Sequence, residues 1–113
     1  MNVLIVDDSV LLQDRLKRSL TELYKHINIS FANSCQEAMN LFTLHIYDKI
    51  ILDISLPDGS GIHLLGLFKK SKPETDVIMF TNYTSAEFKW NCLQLGADHF
   101  FNKSEMDGLL KII

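Results

Sequence analysis

Lys49-Ile50-Ile51-Leu52-Asp53-Ile54-Ser55-Leu56-Pro57-Asp58-Gly59-Ser60-Gly61 is an unbroken apolar run that stops at one carboxylate and gives way to a loop dense in Gly, Pro, Ser and Asp. An apolar run of this length suits a strand buried on both faces of a parallel sheet. The residues after it carry turn chemistry. The same shape recurs along the chain. Val3-Leu4-Ile5-Val6 ends at Asp7-Asp8, Asp76-Val77-Ile78-Met79-Phe80 ends at Thr81, and His99-Phe100-Phe101-Asn102-Lys103 is a weaker fourth case. Ile27-Asn28-Ile29-Ser30-Phe31 alternates instead, as a half-exposed edge strand would.

Helical patterns separate these runs. Leu12, Leu16, Leu20 and Leu23 share one helix face, with Ser9 as the expected N-cap. Ser34-Cys35-Gln36-Glu37 and Thr84-Ser85-Ala86-Glu87 each read as a capping box. Gly96 stands where a helix C-terminus takes a left-handed residue, and the helix opened by Gly61-Ile62-His63 ends before Pro73. Strand then helix, five times over, predicts an α/β fold with a parallel five-stranded sheet, right-handed crossovers and helices on both faces.

At 113 residues the chain is expected to form a single domain over 1–113. The last pattern, Ser104 to Ile113, is short for a covering helix, as though cut inside or just after it. A net charge of -3 with no basic stripe argues against nucleic-acid binding by this domain. Cys35 and Cys92 fit no metal or redox spacing and read as packed thiols. His26, His45, His63 and His99 fall in four separate segments and read as surface residues. The N-terminal run has no basic flank and is too short to span a bilayer, so the expected location is the cytoplasm, with no membrane contact.

In a parallel sheet the C-terminal strand ends share one edge, where open α/β folds bind ligands. Asp7, Asp8, Asp53, Thr81 and Lys103 are all expected there. Clustered carboxylates repel one another unless a cation lies among them. An all-oxygen donor set without His or Cys suits Mg²⁺. A divalent cation, an ammonium and a hydroxyl together suit phosphoryl oxygens, and a carboxylate there can act as the nucleophile. Asp53, alone at its strand end, is the candidate.

With those residues placed, the chain resembles the receiver domain of two-component response regulators, the chemotaxis-regulator-like type. The resemblance lies in Val6-Asp7-Asp8-Ser9, in Leu52 to Gly61, in Phe80-Thr81-Asn82 and in Leu95 to Lys103. It implies a flavodoxin-like (βα)₅ doubly wound sheet of strand order 2-1-3-4-5. It implies that Asp53 is phosphorylated from a phosphohistidine of a sensor histidine kinase or histidine phosphotransfer protein. It further implies Mg²⁺ held by Asp8, Asp53 and the Ser55 backbone carbonyl, with Asp7 helping through a water. Lys103 would contact the phosphoryl group, Thr81 would be the switch hydroxyl, and Phe100 the switch aromatic. The switched surface, helix 4, strand 5 and helix 5, is where such domains dimerise or meet effectors. The implied role is a phosphorylation-switched signalling domain, not an enzyme acting on other substrates.

Some positions depart from the family pattern. Ser104 follows Lys103 where a proline, often after a cis bond, is usual; a cis bond before Ser would cost about 2.5–4 kcal/mol, so a trans bond is expected. Asn82 replaces a smaller residue, and Tyr83 could hinder the hydrolytic water, which predicts slow self-dephosphorylation. Three rivals compete. An aspartate-nucleophile phosphatase of the haloacid-dehalogenase type would show Asp-x-Asp after its first strand, whereas here the aspartates are adjacent. A flavin carrier would not place Asp7-Asp8 against its phosphate. A non-phosphorylated receiver-like interaction module would be expected to have lost some of the acceptor residues, and all are present.

Overall fold

The computed structural model describes residues 1–113. Five strands, β1 (Asn2–Val6), β2 (Asn28–Ala32), β3 (Lys49–Leu52), β4 (Asp76–Thr81) and β5 (His99–Asn102), form a parallel sheet of order β2-β1-β3-β4-β5. Five α-helices alternate with them: α1 (Val10–Leu23), α2 (Cys35–Leu44), α3 (Gly61–Ser71), α4 (Ala86–Gln94) and α5 (Met106–Ile112). This is the expected flavodoxin-like order 2-1-3-4-5. The alternating segment is indeed an edge strand, part-exposed along most of its length.

Strand period two divides the core. Leu4, Val6, Ile50, Leu52, Val77 and Met79 face one layer, where Ala38 and Phe42 of α2, Leu64, Leu65 and Phe68 of α3 and Cys92 of α4 meet them. Val3, Ile5, Ile51, Ile78 and Phe80 face the other, against Leu12, Leu16 and Leu20 of α1 and Leu109 of α5. Phe100 packs on the first layer and its neighbour Phe101 on the second. Each fully buried Leu, Ile or Phe contributes about 1.5–3 kcal/mol by leaving water. Burial on both faces of the inner strands is why their sequences show no alternation.

The helix ends match the sequence reading with two corrections. Ser9 and Ser34 cap α1 and α2. Glu37 completes no box with Ser34; its Oε2 accepts from the Asn33 N–H instead, at 3.1 Å. α4 is capped by Ser85, not Thr84, because the Ser85 hydroxyl accepts from the Phe88 N–H. Gly96 has φ 98°, and the Gly96→Leu93 and Ala97→Cys92 backbone hydrogen bonds close α4 in a Schellman motif. All peptide bonds are trans, Lys103–Ser104 included. No helix is long and apolar enough to cross a membrane.

Candidate functional site: an ammonium shared by two buried carboxylates

Register places the site. Val6 pairs with Leu52, so the residues that follow them, Asp7 and Asp53, stand side by side. Backbone hydrogen bonds from the Asp7 N–H to the Ala32 carbonyl and from the Asp53 N–H to the Val6 carbonyl, both 3.0 Å, extend the ladder past the strand ends. Thr81 pairs with Asn102, which puts Lys103 one residue beyond the end of β5. Lys103 opens a 3₁₀ turn (Lys103–Glu105) and is not the last strand residue.

The Lys103 ammonium bridges the two carboxylates, 2.8 Å from Asp7 Oδ2 and 2.9 Å from Asp53 Oδ2. Each other oxygen accepts a backbone N–H: Asp7 Oδ1 from Ser9 and Asp53 Oδ1 from Ile54, both at 2.8 Å. Asp7 is 3% exposed and Asp53 6%. Burial pushes the Asp7 carboxyl above its ordinary 3.8, although Lys103 and the Ser9 N–H pull it down; the Asp53 charge adds to the rise. Burial pulls the Lys103 ammonium down, but the hydrogen bonds and charges of Asp7 and Asp53 outweigh it and hold the group above its ordinary 10.5. Two buried carboxylates thus share a single ammonium.

The other sequence candidates surround this cluster. Asp8 is exposed and takes part in no ion pair. Ser55 is exposed and pairs with Ser60 in a hairpin of two-residue strands that folds back beyond Asp53. Thr81 is fully buried, and its hydroxyl accepts from the Tyr83 N–H at 3.1 Å. Asn82 is exposed, and the Tyr83 ring stands edge-on to Phe88 of α4. Beside the cluster opens a cleft of about 350 Å³ lined by Ser9, Leu11, Arg15, Asn82 and Lys103. A larger hollow, about 500 Å³, lies away from it between α3 and α4. The cysteines and histidines stay outside the site: Cys35 is half-buried, Cys92 buried, and all four histidines exposed.

Five residues that shape the site are not read as such from sequence. Gly61 packs so tightly that a Cβ there would lie 1.8 Å from the Asp53 carbonyl oxygen. Gln13, buried in the apolar stripe of α1, donates from Nε2 to the Asp7 carbonyl at 2.6 Å. Its signal was a polar residue next to Leu12 on a core-facing stripe. Asp58, expected to be only a turn residue, also accepts from the Cys35 and Gln36 N–H groups at 2.7 and 3.0 Å, and those hydrogen bonds hold its carboxyl below the ordinary value. Asn102 and Glu105 form a complete capping box on the turn that carries Lys103. It fixes by hydrogen bonds the turn in which Ser104 stands where the family pattern has a proline.

The donor set fits a hard cation that keeps water. No three acidic, His or Cys side chains converge closely enough to enclose a metal, and the carboxylates present are the one or two that Mg²⁺ takes when waters and phosphoryl oxygens complete its shell.

Known proteins share this architecture. The profile of the response regulator receiver domain matches residues 3–113. The cell cycle response regulator CtrA of Brucella ovis is 29% identical over 103 residues, 91% of this chain and 44% of that protein. The chain thus spans less than half the length of the curated relatives it matches. The receiver domain of Francisella response regulator 1452 is 29% identical with a TM-score of 0.83, over 98% of this chain and 93% of that one. A CheY-like receiver domain protein of Methanospirillum hungatei JF-1 is 27% identical with a TM-score of 0.83, over 97% and 93%. With the profile spanning nearly its whole length and the same fold in these relatives, the chain belongs to the response regulator receiver domain family of two-component signalling.

Proposed function

We propose that Asp53 is the phosphoacceptor and that residues 1–113 act as one receiver unit. The observation that carries this reading is the ammonium of Lys103 held between two buried carboxylates at the C-terminal edge of the sheet. An Asp53 carboxylate oxygen attacks the phosphorus of a phosphohistidine. The P–N bond breaks, and the departing imidazole takes up a proton. The Lys103 ammonium exchanges a carboxylate partner for a phosphoryl oxygen. Asp8, Asp53 and the Ser55 carbonyl would hold Mg²⁺, with Asp7 contributing through a water. When bound, Mg²⁺ supplies positive charge to the phosphoryl oxygens. The Thr81 hydroxyl leaves its Tyr83 partner for the phosphoryl group. Phe100, half-buried on the α2–α4 layer, follows it and reshapes the face of α4, β5 and α5. The phosphoryl group shifts an existing equilibrium.

The partner class is a sensor histidine kinase or histidine phosphotransfer protein, and the switched face is the candidate homodimer surface. The domain is a cytoplasmic signalling switch that catalyses only its own phosphorylation and dephosphorylation, touching neither nucleic acid nor membrane. Tyr83 beside Thr81 supports a phosphorylated lifetime longer than seconds. The test is mass spectrometry after incubation with Mg²⁺ and a small acyl phosphate. One added phosphoryl group, absent in Asp53→Asn, is expected. Continuous turnover of the donor would instead identify a phosphatase, and no uptake would end the acceptor reading.

A further inference from the structure

One side chain joins the two loops that flank the acidic pocket. Asn102 Oδ1 accepts from the Ser104 N–H at 2.8 Å, and the Asn102 N–H donates to Glu105 Oε1 at 2.9 Å. These contacts fix the turn that begins at Lys103. The remaining polar group, Nδ2, donates to Thr84 Oγ1 at 3.3 Å. Thr84 lies three residues after Thr81 and directly before Ser85, the cap of α4. The Thr81 hydroxyl is itself engaged within this loop, by the Tyr83 N–H.

We infer that Asn102 is a positioning residue that couples the Lys103 turn to the β4–α4 loop, and that its hydrogen bond to Thr84 is a latch favouring the unphosphorylated arrangement. The coupling rests on Asp53 being the acceptor and Thr81 the switch hydroxyl. Movement of Thr81 toward a phosphoryl group carries Asn82 to Thr84 with it and strains the Asn102–Thr84 contact, while the capping box keeps the Lys103 turn in place. Opening the latch in advance therefore raises the population competent for the phosphoryl group and, with it, apparent affinity.

Thr84→Val removes the latch and leaves the cap of the Lys103 turn untouched. Asn102→Ser retains a capping oxygen but is too short to reach Thr84. Calorimetric titration with beryllofluoride in the presence of Mg²⁺ is expected to show tighter binding by about two- to tenfold in both variants, the range of one net hydrogen bond. The double variant should gain nothing beyond either single, and Thr84→Ser should return to the parent value. Affinity of Thr84→Val for Mg²⁺ alone should not move, which a merely structural role would not predict. Amide exchange of residues 82–85 in the ligand-free protein should quicken in Thr84→Val. Unchanged exchange, unchanged or weaker beryllofluoride binding, or a Thr84→Ser variant that behaves like Thr84→Val overturns the latch. A parent chain that takes no beryllofluoride, yet shows the quickened exchange in Thr84→Val, refutes the acceptor reading and the coupling with it while leaving the hydrogen bond real.

Discussion

Lys103→Met retains most of the side-chain bulk and deletes the charge. Asp7 and Asp53 then keep one backbone N–H donor each, from Ser9 and Ile54, and no counter-charge. Removing one partner of a buried pair costs about 3–5 kcal/mol. The lysine side chain is 19% exposed, so water screens part of the pairing and the low end, about 3 kcal/mol at neutral pH, is expected. For a domain of this size that is about 12 °C in Tm. The pH dependence has a definite sign. Asp7 already titrates above its ordinary 3.8, so between 3.8 and the folded value the native state holds more protons than the unfolded chain. Stability therefore rises as pH falls through that window, and more steeply once the lysine is gone. The ammonium also competes with any cation for the same oxygens. The variant should bind Mg²⁺ more tightly and recover about 2–3 kcal/mol when Mg²⁺ is well above its Kd. Urea denaturation at about pH 7.5 and about pH 5, with and without Mg²⁺, measures all three effects. A loss below about 1 kcal/mol that ignores both pH and Mg²⁺ would refute the shared-ammonium account.

Gly61→Ala drives a Cβ into the Asp53 backbone at 1.8 Å, so the β3–α3 loop must shift; a loss of about 3 kcal/mol or more in urea denaturation and impaired phosphorylation are expected, and wild-type behaviour in both would contradict the packing. Tyr47→Phe removes a buried hydroxyl that has no partner, so its Tm should hold or rise, whereas a clear drop would reveal a hydrogen bond to that oxygen. Cys92 is fully buried, and burial pushes its thiol up to about 11. At about pH 8 only about one such thiol in a thousand is ionised, so an alkylating reagent should label half-buried Cys35 first and reach Cys92 only on unfolding. Equal labelling rates in the native protein would count against that burial.

The sheet was legible because its inner strands are buried on both faces. Ile50-Ile51-Leu52 and Val77 to Phe80 can be little else when turn-rich segments bound them. Asp7, Asp53 and Lys103 were expected on one edge of that sheet, and there the structure brings their side chains into contact. Side-chain direction was not legible. Asp7 and Asp8 are neighbours of one chemistry, yet a strand end turns one inward to 3% exposure and leaves the other in solvent. The α4 cap was misplaced by one residue because Thr84 and Ser85 are both good caps, and contact with Asn102 is what takes Thr84. Asp58 and Gln13 act across 23 and 6 residues respectively, through partners that only the assembled fold supplies.

The grip of Asp58 on the first turn of α2 gives the pocket unequal walls. On that side the segment following Asp53 is stapled twice to a neighbouring helix by a carboxylate whose pKa those two hydrogen bonds lower. On the opposite side a lone asparagine–threonine contact spans the gap. A disturbance that starts at Asp53 would therefore meet a stiffer boundary toward α2 than toward the start of α4.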